Sequence, residues 1–246
     1  MLSGLELVVA VLVVFVGAVV MGMVSFGMGL VVAPVLLLFL EPQATVVIVN
    51  AVIAILLSLV LVQTFRHLKL RSIWPMALGG LCAVPIGVLV LSVADPAALR
   101  ITIGLVILVL GILNILHIQL PLVQYRWAGA AFGFLTSLAV TTLGIGGPLA
   151  ALYVVAQRWS PQEIRASLAF FFLLSYVVAF GLYAKSGLVH RETLANIAIL
   201  IPSLVFGFGL ATLLVRRMDQ KVFRYAVTGV IITGSLVLLS KEIVGR

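Results

Sequence analysis

Apolar runs of about 20 residues, long enough to carry a helix across a hydrocarbon core ~30 Å thick, follow one another along almost the whole chain. They occupy Leu5–Val24, Ala44–Phe65, Ile73–Val93, Ala97–Leu116, Gln162–Tyr183, Thr193–Val215 and Gln220–Leu239, with a shorter run at Trp127–Val140. Their hydrophobicity does not alternate with period two and they exceed a barrel strand's length, which excludes a β-barrel and predicts helices. Of 246 residues only 9% are charged, against roughly 25% in a water-facing domain. No stretch is polar enough for a separate soluble domain, so 1–246 reads as a single membrane domain. Met1–Glu6 lacks a basic start with a cleavage site downstream and reads as the beginning of the first helix.

Two further apolar segments are too short to span. Met28–Leu40 offers ~20 Å of helix, and Pro148–Val155 is shorter still. Each follows a glycine-rich break: Ser25-Phe26-Gly27-Met28-Gly29 in the first half, Thr142-Leu143-Gly144-Ile145-Gly146-Gly147-Pro148 in the second. Aligning the breaks pairs Gly27 with Gly144, Gly29 with Gly146 and Ala33 with Ala150. After a slippage of two residues Pro42-Gln43 pairs with Pro161-Gln162, and further on Asp95 and Arg100 pair with Asp219 and Arg224. The shared order points to a duplicated unit, repeat 1 over 1–120 and repeat 2 over 121–246. Helix starts follow the same plan. Ser160-Pro161-Gln162-Glu163 is a capping-box sequence, Asp95-Pro96 offers a cap followed by a proline, and Asp219 is the cap of the second unit.

Charge orients the chain. The net charge of +8 comes from short clusters between apolar runs, where Lys and Arg orient helices and meet lipid headgroups. They make no continuous basic face, so membrane lipids are expected as partners and nucleic acid is not. If each long-plus-short pair is a hairpin returning to its own side, ten basic residues face the cytoplasm: Arg66, Lys69, Arg71, Arg126, Arg158, Arg165, Arg216, Arg217, Lys221 and Arg224. Five lie outside: Arg100, Lys185, Arg191, Lys241 and Arg246. Counting each pair as one crossing splits them eight against seven, which orients nothing. The positive-inside rule therefore favours hairpins. Each repeat then crosses an odd number of times and the two copies are inverted. The expected fold is an all-α polytopic membrane protein with two inverted repeats, each a re-entrant glycine-rich helical hairpin plus three spanning helices.

Inverted repeats with broken helices are the architecture of secondary transporters, with the solute near the midplane where the breaks face each other. A break leaves N–H groups at the start of a short helix without intrahelical acceptors, and their partial positive charge attracts an anion. Gly27, Gly29, Gly144, Gly146 and Gly147 would let the backbone approach that anion, and Ser25, Thr141 and Thr142 would add hydroxyl donors. The same glycines would equally serve close helix crossing, as small residues do in membranes.

These residues carry a resemblance. Gly22-Met23-Val24-Ser25-Phe26-Gly27-Met28-Gly29 with Pro34, and its second copy at Thr142–Pro148, resemble the paired signatures of the sulfite exporter TauE/SafE family. The resemblance extends over nearly the whole chain, including the basic loop from Arg66 to Arg71. It implies a bacterial inner-membrane permease for a small anion such as sulfite, sulfoacetate or an organosulfonate. Met28-Gly29-Leu30 stands where Gly-Gly would fit the signature better, which leaves the choice of substrate open. Relatives that take up thiosulfate through several cysteines are not matched, since Cys82 is the single cysteine.

Asn50, about seven residues into its helix, is a candidate either for the solute cavity or for an interhelical hydrogen bond. Arg165 could meet an anion at the cytoplasmic entrance, snorkel, or pair with a carboxylate. Ser175 and Tyr176, mid-helix, read as packing or as solute contacts, and Pro85 and Pro202 as kinks. All seven acids and the three histidines fall near segment ends, so no proton relay crosses the midplane. No catalytic constellation, metal-ligand cluster or nucleotide motif is present in the sequence, so neither catalytic residues nor a cofactor are expected. A passive anion channel, a membrane-embedded enzyme (for which no catalytic constellation is found) and a structural or assembly subunit are the rival readings.

Overall fold

Proline opens three of the helices described, and two of these also carry a side-chain cap. The computed structural model describes residues 2–24, 26–116, 126–157 and 159–214, and among them all regular structure is helical. The α-helices are α1 (Gly4–Val24), α2 (Met28–Leu36), α3 (Pro42–Thr64), α4 (Leu70–Val93), α5 (Pro96–Leu116), α6 (Arg126–Leu143), α7 (Gly147–Ala156), α8 (Pro161–Lys185) and α9 (Arg191–Leu214). Helices α3, α5 and α8 each start on a proline, whose missing N–H costs nothing in the first turn. Asp95 caps α5, its carboxylate accepting the Ala98 N–H at 2.9 Å. At α8 the capping box forms in both directions: Ser160 Oγ accepts the Glu163 N–H at 3.4 Å and Glu163 accepts the Ser160 N–H at 2.9 Å.

Among the described residues five helices (α1, α3, α4, α8 and α9) are long and apolar enough to cross a membrane. Their outer faces carry exposed large apolar side chains such as Leu5, Val62, Val93 and Phe206, a surface suited to hydrocarbon. The two short segments are helical but brief. Helix α2 has 9 residues and α7 has 10, ~13 and ~15 Å of rise. Helix α2 stops at Leu36, before the end of its apolar run, and the chain tightens after it. Leu38 donates to Val35 O at 3.2 Å and Phe39 to Leu36 O at 3.0 Å, the i→i+3 pattern of a 3₁₀ turn. Helices α4 and α9 continue through Pro85 and Pro202. The run Gln220–Leu239, the cap at Asp219 and Arg224 lie outside the described residues.

Small residues set the helix crossings. Helices α4 and α6 run parallel and so close that a Cβ on Gly79 would overlap the Ala130 carbonyl oxygen, and one on Gly133 the Met76 carbonyl oxygen. Helices α1 and α9 are likewise parallel. Leu2 donates to Asn196 Oδ1 at 3.1 Å near their starts, and Gly22 packs on Ala211 near their ends. Helices α3 and α8 run antiparallel. Asn50, early in α3, bonds Tyr183, late in α8, at 2.9 Å, while Lys69, beyond the end of α3, pairs with Glu163 at the start of α8 at 2.9 Å.

The buried faces recur in register. Helix α4 buries Ile73, Met76, Ala77, Gly80, Ala83, Val84, Gly87, Val88 and Leu91. Helix α9 buries Thr193, Asn196, Ile197, Leu200, Ser203, Leu204, Gly207, Phe208 and Ala211, each 120 residues on (73 to 193, 91 to 211). Ala10, Val14, Gly17, Ala18, Met21 and Gly22 of α1 correspond in the same way to buried Gly129, Gly133, Thr136, Ser137, Val140 and Thr141 of α6, each 119 residues on (10 to 129, 22 to 141).

Candidate transport site

Both breaks turn on a glycine in left-handed backbone conformation. Gly27 has φ 97° and Gly144 φ 73°, a region that L side chains adopt only with strain. The conformation lets a long helix end and a short one begin within a few residues. The two breaks then meet. A Cβ on Gly29 would overlap the Gly144 carbonyl oxygen, and one on Gly147 would sit 2.9 Å from Phe26 Cβ and 3.1 Å from the Gly27 nitrogen. Gly29 and Gly147 are therefore required by backbone touching backbone across the molecule. Gly146 meets a different demand: its Cβ would overlap Val140 and lie 2.7 Å from the Thr136 carbonyl, both on its own partner helix α6.

A cavity lies at this junction. Gly27, Met28 and Gly29 line it from the first break, Gly144, Gly146 and Gly147 from the second. Ile53, Phe172 and Tyr176 complete the wall together with Met21, Phe26, Leu30 and Ile145. Ile53 is the twelfth residue of the 23 in α3 and Phe172 the twelfth of the 25 in α8, so the cavity sits at the middle of both. It leaves about 10 Å³ for the centre of a water-sized occupant, room for about one water. No charged side chain is among the lining residues. Its polar character comes from the break backbone, including the starting residues of α2 and α7, whose first N–H groups have no acceptor in their own helix.

The remaining candidates from the sequence are placed elsewhere. Ser25 lies outside the described residues. Asn50 is buried and takes the interhelical role: Nδ2 donates to Val140 O at 3.1 Å and to the Tyr183 hydroxyl at 2.9 Å. Tyr183 in turn donates to the Thr141 carbonyl at 2.6 Å. Together they hold the end of α6 just before the second break. The Thr141 hydroxyl donates to Ser137 O at 2.7 Å within α6, and the Thr142 hydroxyl to Gly87 O of α4 at 3.2 Å. Neither residue lines the cavity. Arg165, half-buried, reaches across to the last turn of α1, where its Nη2 donates to Gly22 O at 2.9 Å. Glu163 pairs with Lys69 instead of Arg165. Each break thus has a tether from α8: Arg165 on the helix leading into the first, Tyr183 on the helix leading into the second.

Sequence reasoning passed over Phe172 and Ile53 and gave Tyr176 only as an open alternative, because apolar and aromatic residues in the middle of an apolar helix carry no local mark of a cavity. Tyr183 also went unremarked. Its one visible sign is a spacing of seven from Tyr176, two helical turns, which puts both phenols on one face of α8.

Compared with known proteins, the sequence matches the family model described as sulfite exporter TauE/SafE over residues 9–238. No curated protein and no solved structure matches it.

Proposed function

The chain belongs to the sulfite exporter TauE/SafE family, and from that premise we propose that it is a secondary transporter carrying a small sulfur-containing anion across the bacterial inner membrane. Sulfite, sulfoacetate and organosulfonates are the substrate class. The observation that carries this reading is the meeting of the two glycine breaks at the middle of α3 and α8, around a cavity walled by backbone and aromatic rings. An anion placed there is met by helix-start N–H groups, the arrangement broken-helix transporters use for anionic solutes. The matching buried faces of α1 with α6 and of α4 with α9 support two repeats, 1–120 and 121–246. The antiparallel course of α3 and α8, which occupy equivalent places in the two halves, supports their inversion. A cavity with room for about one water, closed by breaks in backbone contact, favours alternating access over a standing pore. Neither catalysis nor a cofactor has a part in the proposal.

The test is sulfite transport in proteoliposomes by Gly29→Ala and Gly147→Ala, with Gly133→Ala as the packing control. A methyl forced into a close contact costs ~1–3 kcal/mol, and 1.4 kcal/mol is a factor of ten. The break variants should therefore lose about tenfold or more in transport per folded molecule. Gly133→Ala, which presses on Met76 in the α4–α6 crossing, should lose stability yet transport normally per folded molecule. Wild-type rates of sulfite and sulfoacetate transport in both break variants would move the site elsewhere.

A further inference from the structure

Two buried tyrosines share one face of α8, and their hydroxyls are in opposite situations. Tyr183 is satisfied twice: it donates to the Thr141 carbonyl at 2.6 Å and accepts from Asn50 at 2.9 Å. Tyr176 is 4% exposed, lines the cavity between the breaks, stacks on the Phe172 ring, and makes no hydrogen bond through its hydroxyl among the described residues. Its oxygen is not among the fully buried side-chain atoms left without a partner, so water or a solute can reach it, and the tip of a mostly buried phenol is where such a partner is received. Packing does not call for the oxygen. In the register that aligns Pro42 with Pro161, the place of Tyr176 on α8 is held on α3 by Leu57, which is buried and carries no hydroxyl. The ring is meanwhile held in place by Phe172, at 5.9 Å between centroids and 20° between planes. The result is an oriented, unspent donor in a cavity whose other polar groups are break backbone.

Resting on the transport reading above, we infer that the Tyr176 hydroxyl is the side-chain donor that receives an oxygen of the anion between the two breaks. The site then takes an oxyanion through backbone N–H groups and one neutral phenol, without a cationic side chain. It discriminates in favour of solutes that present an accepting oxygen to α8 while the rest of the anion lies against the glycines. A hydrogen bond to a charged partner is the stronger kind, so this one group has leverage on affinity although it contributes no hydrogen bond to the empty protein.

Tyr176→Phe tests the assignment, because it keeps the ring and its stack on Phe172 and removes only the oxygen. Purified wild type and variant are titrated with sulfite, and their melting temperatures are measured without ligand. The affinity should fall by about 10- to 100-fold, while the melting temperature stays level or rises, since no hydrogen bond of the empty protein is lost. Tyr183→Phe should do the reverse, lowering the melting temperature and leaving the affinity of the folded protein near wild type. Unchanged sulfite affinity in Tyr176→Phe, with Gly29→Ala still impaired, overturns the tyrosine assignment and leaves the site in place. Unchanged affinity in both variants, or no sulfite binding by the wild type, overturns the assignment and the site together. A Tyr176→Phe protein that melts earlier in proportion to its lost affinity shows a structural hydroxyl and also overturns it.

Discussion

Asn50 shows how far a single polar residue in an apolar run can be read. Its amide marks it at once as either a ligand contact or a hydrogen bond between helices, and nothing nearby in the sequence decides which. The deciding partners are Val140 and Tyr183, 90 and 133 positions away, and both become neighbours only when α3, α6 and α8 pack. The threonines carry a similar lesson. Thr141 and Thr142 looked like donors for a solute, yet in an apolar setting a hydroxyl takes the nearest carbonyl, Ser137 O for one and Gly87 O for the other. The Asn50–Tyr183 pair should behave as one unit. Asn50→Ala, which strips a donor from a buried carbonyl and a phenol, should destabilise by about 1–3 kcal/mol, and Tyr183→Phe by about 0.5–1.5 kcal/mol. Because the two share a bond, the double variant should be less damaged than the sum of the single ones, by about 0.5 kcal/mol or more. Denaturation of the four proteins in detergent measures the cycle, and strict additivity would mean the bond between them contributes nothing.

Among the elements, the starts of helices were legible and the crossings were not. Ser160-Pro161-Gln162-Glu163 and Asp95-Pro96 announce caps within four residues, and both form. The end of α2 falls short of its apolar run because the residues after Leu36 stay apolar while the backbone tightens into turns, which a hydrophobicity pattern does not register. The 22 glycines look alike in the sequence although their surroundings differ. Gly79 and Gly133 each face a carbonyl of the opposite helix, whereas a Cβ on Gly181 of α8 or Gly209 of α9 would meet nothing within 4 Å. Alanine substitution should therefore change sign with position. At Gly79 or Gly133 it should destabilise by about 1–3 kcal/mol through overpacking. At Gly181 or Gly209, where only helix propensity acts, it should be neutral or stabilising by up to ~1 kcal/mol. Unfolding midpoints of the four variants in one detergent decide it, and four equal shifts would remove the close crossing of α4 and α6 as the cause.

For the whole molecule, the sequence and the structure bear on orientation by unrelated routes. The sequence offers only a bias in Lys and Arg, which becomes a topology if the short segments α2 and α7 return to the side they came from. The structure offers direction without any membrane. The ion pair of Lys69 with Glu163 joins the turn after α3 to the start of α8 at one end of the bundle. Gln43, at the start of α3, donates to the Ala94 carbonyl at the end of α4 at 3.3 Å, at the opposite end. Helix α8 runs between these ends and is long and apolar enough to cross a membrane, so if it spans, its start and its finish face opposite compartments. Arg66, Lys69, Arg71 and Arg165 gather at the first end, and the turn from Lys185 to Arg191 lies at the other. With the more basic end in the cytoplasm, a single cysteine placed at His67 in a Cys82→Ser background should react with a membrane-impermeant maleimide only after the inner face is opened. One placed at Gly187 should react in intact cells. Helix pairing alone requires the two positions to differ, and charge alone says which is inside. Labelling of both from one side would therefore refute the spanning course of α8. Opposite labelling with Gly187 inside would leave the helix packing intact and overturn only the orientation drawn from charge.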